Sequence, residues 1–113
     1  MKKVELKDVK EYTAAKHFKC AALRLHGKEE TGVSKFSLGM SHFLPGGGAE
    51  YDDASPTEKI YFVLEGEVTV TDKNKNKIVL KPWDSIFIGP NEGRSILNET
   101  NYPATMLVCM NYM

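Results

Sequence analysis

The chain has 113 residues, with 15 Lys plus Arg balanced by 15 Asp plus Glu. That length builds one core and is too short for two, and a net charge of zero lacks the basic excess of a nucleic-acid binder. The longest apolar runs are about five residues, far below a membrane span. No basic, apolar, small-residue leader opens the chain. Cys20 and Cys109 are too few for a disulfide framework and have no CxxC or CxxxH spacing for zinc. The sequence predicts a globular cytoplasmic protein with two free thiols and neither a nucleic-acid nor a membrane partner.

Asp8 to Lys16 (DVKEYTAAK) is the only stretch with helical character, a turn or two at most. From Lys19 the chain reads as strands: KCAALRLH, then KFSLGMSHF, ended by Pro45-Gly46-Gly47-Gly48. Ile60 to Thr71 is β-branched and aromatic, with a break at Gly66. Asp72 to Lys77 is a polar turn, and Ile78 to Leu80 returns as the second arm of a hairpin. Pro82, Gly89-Pro90 and Gly93 bracket a strand at Ser85 to Ile88, and Ala104 to Tyr112 is the last. Short strands at this spacing predict an all-β fold, one sandwich or small barrel.

Two segments carry a family resemblance. PGGGAEYDDASPTEKIYFVLEGEVTV resembles the first motif of the cupin family, G(x)5HxH(x)3–4E(x)6G, with Gly47, Asp53, Ser55, Lys59 and Gly66 in the motif places. The second motif, G(x)5PxG(x)2H(x)3N, lies without a gap on Trp83 to Asn98, where Asn98 matches and Arg94 takes the histidine place. The resemblance implies a single cupin-type jelly-roll, an antiparallel β-barrel. Residues 1–35 would lead into the barrel and 36–113 would form its core. Small cupins commonly pair through their sheets, so it also implies a homodimer. It says little about activity, because one fold hosts many functions.

The departures from the motifs bear on chemistry. Metal-binding cupins hold their ion with two histidines, a glutamate and a later histidine; here those places read Asp53, Ser55, Lys59 and Arg94. Two are cations that repel a divalent metal, and serine is a poor transition-metal ligand. No metal and no cofactor are expected. Glu58 is one residue from the motif glutamate, and strand alternation points it to the other face.

Each candidate has two readings. Lys59 either snorkels to solvent at the barrel mouth or is a pocket lysine that binds an anion or acts as base or nucleophile. If it points inward, alternation carries Tyr61 and Val63 with it. Arg94, one of two arginines beside thirteen lysines, is either a surface residue paired with Glu92 or a planar fork for carboxylate or phosphate. Phe36, Leu38, Met40, His42 and Leu44 alternate as the buried face of their strand. His42 is then either a satisfied core histidine or the best acid–base group, whereas His17 and His26 read as surface. Tyr51 and Tyr61 can line a pocket. The expected function is a metal-independent enzyme of isomerase, lyase, dehydratase or cyclase type acting on a small anionic molecule. His42, Lys59 and Tyr61 are its catalytic candidates, and Tyr51, Asp53, Ser55, Lys59 and Arg94 its ligand-binding ones. The alternatives are a binding module without turnover and a closed-barrel scaffold.

Overall fold

The computed structural model describes residues 1–113, the whole chain. A 3-10 turn at Leu6–Asp8 leads into nine strands. They are β1 (Glu11–Tyr12), β2 (His17–His26), β3 (Phe36–Asp52), β4 (Lys59–Glu65), β5 (Val68–Asp72), β6 (Lys77–Leu80), β7 (Ser85–Ile88), β8 (Arg94–Leu97) and β9 (Ala104–Asn111). The helical character expected over Asp8–Lys16 is corrected: that stretch holds β1, which pairs with β2 through Glu11–Leu23 and Tyr12–Ala22. A helix of one or two turns fixes many dihedrals for few hydrogen bonds, whereas the edge of β2 offers partners already in place.

The hydrogen-bonded order is β6-β5-β8-β3-β9-β4-β7, with β2 added to β3 and β1 to β2. The strand β3 belongs to both walls of the barrel. Its first half, Phe36 to Phe43, pairs with β9, and Gly48 to Asp52 pairs with β8. Pro45 to Gly48 is therefore the corner between the walls and not the end of a strand, which corrects the expected stop. Gly46 sits at φ +79°, and a Cβ on Gly48 would collide with the Ile96 carbonyl of β8. Only glycine lets those two backbones approach so closely. The strand β8 carries little strand signal, because RSIL offers two apolar residues after a turn.

Period-two alternation holds on β4, where Lys59, Tyr61 and Val63 are buried while Ile60 is 49% exposed. On β3 the expected face is reversed. Ser37, Ser41 and Phe43 are buried, whereas Phe36 and Leu44 are 55% and 56% exposed, so His42 stands on the outer face. The inward positions Ser37, Gly39 and Ser41 are small because they border a cavity, which leaves the larger apolar residues outside. Phe43, Val63, Val68, Ile96 and Met106 belong to the cluster that fills one end of the barrel. The cavity takes the other end and begins at Ile96 and Met106. Cys20 and Cys109 are both free, and no helix is long and apolar enough to cross a membrane.

Candidate functional site

Registers set the inner wall in rows. Arg24 on β2 faces Gly39 on β3, Gly39 faces Val108 on β9, and Val108 faces Tyr61 on β4. One row on, Ser37, Met110 and Lys59 are aligned. From the other wall, Arg94 and Ile96 point inward on β8. These side chains border a cavity of about 130 Å³ that also touches Tyr12, His17 and Ser41. Its sixteen lining residues include no Asp or Glu.

Arg94, only 8% exposed, donates from Nε to the Tyr61 hydroxyl at 2.8 Å and from an Nη to the Glu50 carbonyl at 3.2 Å. Those bonds engage two of its five N–H donors and hold the fork in place. Lys59 is also 8% exposed, and its ammonium makes no hydrogen bond or ion pair within the chain. No fully buried side-chain nitrogen or oxygen lacks a partner, so the ammonium opens onto the cavity. Burial, then the Arg94 charge, pushes the Lys59 pKa down, and Asp52 opposes them. Burial pushes the Tyr61 phenol up, against the pull of Arg94. Tyr61 therefore keeps its proton, and Lys59 gives its proton up more readily than an exposed lysine.

Of the residues singled out by sequence, Lys59, Tyr61 and Arg94 come together. The others do not join them. Asp53 is exposed, and its carbonyl accepts from Asn91 at 3.3 Å. Ser55 shares a 2.7 Å hydrogen bond with Thr57 in the loop between β3 and β4. Tyr51 and Asp53 border a separate cleft with Asp72, Asn91 and Glu92. His42 hydrogen-bonds the Thr105 hydroxyl at 3.0 Å and lies outside the cavity. The carboxylate that bears on the cluster is Asp52, the register partner of Arg94 on β3, and its side chain also meets Lys16 at 3.6 Å; Asp72, the partner of Arg94 on β5, turns its carboxylate to Asn74 and Asn76.

Two further residues line the cavity: His17, whose expected surface position is corrected to a half-buried one on the cavity wall, and Arg24, which the sequence does not single out. His17 directs Nδ1 at the Ala15 carbonyl, 2.8 Å away. A carbonyl only accepts, so Nδ1 carries the proton and Nε2 keeps a lone pair when the ring is neutral. Arg24 lies over the Tyr12 ring, 4.4 Å from its centroid. No sequence signal marks either one, since barrel closure alone brings β2 across to β4.

The residues do not fit the metal of metal-binding cupins. Two of the four ligand places hold the cations Lys59 and Arg94, Asp53 is exposed, and no group of three or more His, Cys, Asp or Glu side chains converges anywhere in the chain.

The family model described as Cupin domain matches residues 39–110. A beta-D-galactosidase of Mycobacterium tuberculosis is 36% identical over 110 residues, spanning 96% of this chain and 91% of that one. Among solved structures, the polyketide cyclase RemF from Streptomyces resistomycificus has a TM-score of 0.87 at 21% identity, covering 98% of this chain and 79% of that chain. A sugar phosphate isomerase from a cupin superfamily, from Silicibacter pomeroyi, has a TM-score of 0.80 at 21% identity, covering 99% and 76%. At such identities the two structures speak for the fold alone.

Proposed function

The chain belongs to the cupin family, and we propose that it takes a small organic anion into its barrel, without a metal ion, and moves a proton on it. The observation that carries this reading is the pair of buried cations, Lys59 and Arg94, on a cavity with no lining carboxylate. Two like charges about 4 Å apart repel by roughly 4 kcal/mol at an effective dielectric near 20. Asp52 offsets part of such repulsion, and a bound anion offsets the rest. Arg94 supplies the fork for a carboxylate or phosphate, and Lys59 the point charge.

The proton-moving groups that line the cavity are His17, Tyr61 and Lys59, and His17 has Nε2 free to accept a proton. In an isomerase, lyase, dehydratase or cyclase step, His17 Nε2 takes a proton from carbon beside a carbonyl or carboxyl group. Tyr61 or Lys59 returns one to an oxygen or a neighbouring carbon. The polyketide cyclase and the sugar phosphate isomerase among the similar structures fall in those reaction classes. The galactosidase name of the 36% identical relative points elsewhere, to glycoside hydrolysis. Most enzymes of that kind flank the bond with two carboxylates, a pair this cavity lacks.

A thermal-shift screen tests the binding half. Small carboxylates or phosphates stabilise the protein, by about 2.7 kcal/mol at a hundredfold excess over Kd, and Lys59→Met and Arg94→Met each abolish the shift. Stabilisation by neutral sugars with none by anions overturns the reading. For the chemical half, NMR in deuterated water follows exchange of ligand C–H protons. Saturable binding without exchange or turnover leaves the binding-module alternative.

A further inference from the structure

We propose that the cavity is built for a dianion, with Arg24 at the mouth as the anchor for its second charge. This rests on the reading of the barrel as an anion site and names the class of anion. Three cationic side chains border the cavity, Arg24, Lys59 and Arg94, and the one carboxylate coupled to Lys59 and Tyr61 is Asp52. Asp52 bears on the Lys59–Arg94 end, and Glu30, whose carboxylate shares the space over Gly27 with the Arg24 stem, lies on the outer side of Arg24. A monoanion engages the inner pair alone, whereas a dianion engages Arg24 as well.

The arrangement of the wall fits a ligand with a charge at each end. Arg24 and Tyr61 stand in one row of the barrel, separated by Gly39 and Val108. At Gly39 an added Cβ would meet only backbone, the Leu23 carbonyl at 3.2 Å and the Val108 carbonyl at 4.0 Å, and no side chain. The row is therefore open between the Arg24 stem and the Arg94–Tyr61 pair, with an apolar floor that includes Ile96 and Met106. Arg24 forms neither an ion pair nor a hydrogen bond with its side chain. The Tyr12 ring, 4.4 Å from the guanidinium carbon, steadies its position, and the Glu30 carboxylate beside the stem forms no ion pair with it. A charged group at each end and a short carbon chain between them match this sequence of surfaces. A cavity near 130 Å³ compares with the roughly 150 Å³ that encloses one benzene, which confines the ligand to a short dicarboxylate or a small phosphorylated acid.

Calorimetry with malonate and succinate against propionate and butyrate tests the proposal on the intact protein. The dicarboxylates bind at least tenfold more tightly than the monocarboxylates of equal chain length. Arg24→Gln, which keeps a polar but shorter side chain and loses the charge, reduces that ratio to within about twofold while monocarboxylate binding at Lys59 and Arg94 persists. Tyr12→Leu leaves the charge and lowers the ratio by a smaller factor. An unchanged ratio in Arg24→Gln overturns the dianion and leaves the anion site standing. So does a melting temperature that falls equally with and without ligand, which assigns Arg24 to the Glu29 and Glu30 side of the outer groove it also borders. Failure of all four acids to bind the wild-type protein overturns the anion site itself.

Discussion

Arg94 Nε and the Tyr61 hydroxyl, 2.8 Å apart, join β8 on one wall of the barrel to β4 on the other. Both residues are buried, so this bond fixes the guanidinium across the interior and aims its remaining donors. Tyr61→Phe removes the oxygen and keeps the ring, which leaves a buried N–H without its partner. The expected cost is about 1–3 kcal/mol, read as a fall of several degrees in melting temperature. Anion binding weakens and survives, because Lys59 and most of the fork remain. A variant as stable as the wild type contradicts the structural role given to this bond.

Lys59 makes stability depend on pH in a definite direction. Burial and Arg94 hold its folded pKa below the ordinary 10.5, while the unfolded chain keeps the ordinary value. Between those two pKa values the unfolded chain binds the extra proton, so stability rises with pH across that window. The Tyr61 shift acts the other way, above its ordinary 10.0, so the comparison belongs below that pH. Lys59→Met is more stable than the wild type near neutrality, and the gap narrows as pH climbs toward 10. Melting curves of the two proteins at a series of pH values check this, and parallel curves refute it. Anion binding runs opposite, tightening as pH falls and the ammonium is restored.

How much of this site the sequence discloses depends on what each residue requires of its neighbours. Lys59 and Tyr61 are legible because strand alternation is local and the cupin spacing sets its phase. Arg94 is legible through that spacing alone. Asp53 stands at the motif place, yet a register shift in β3 between Ala49 and Asp52 brings Asp52 opposite Arg94 instead. A bulge of that kind leaves no mark in a residue pattern. His42 lies off the face that alternation predicts, because that rule assumes a filled interior and the small residues bordering a cavity invert it. His17 and Arg24 reach the site only through the closure of β2 onto β3, a long-range pairing that no local signal encodes.

Metal content separates this reading from the metal-dependent cupins. The purified protein carries well under one equivalent of iron, manganese, nickel, copper or zinc, and a chelator leaves its melting temperature unchanged. The physical ground is Lys59 and Arg94 in two of the four ligand places, which repel a divalent ion. Elemental analysis settles the first point and a melting curve with chelator the second. Stoichiometric metal whose removal lowers stability would falsify the metal-free reading.

Asn98 matches the second cupin motif and works as a structural clamp. It is fully buried, and its Nδ2 donates to the Phe43 carbonyl at 3.3 Å and to the Tyr102 carbonyl at 2.7 Å. Its Oδ1 accepts from the Thr100 amide at 3.0 Å and the Thr100 hydroxyl at 2.8 Å. Its backbone N–H reaches the Gly47 carbonyl at 2.8 Å, and its own carbonyl accepts from Gly46 at 2.9 Å. One side chain thus ties the corner of β3 to the turn after β8. Asn98→Ala strips partners from two carbonyls and two donors, a loss of about 3 kcal/mol that lowers the melting temperature by roughly 10–20 °C. Asn98→Asp restores the two bonds from Thr100 and faces both carbonyls with a group that cannot donate while ionised, so it recovers little stability at neutral pH. Because β8 carries Arg94, both variants also loosen the fork and weaken anion binding beyond what the wild-type protein shows at the same distance below its melting point. A change under about 1 kcal/mol in Asn98→Ala, against the 1–3 kcal/mol expected for each unsatisfied buried group, rules out the clamp.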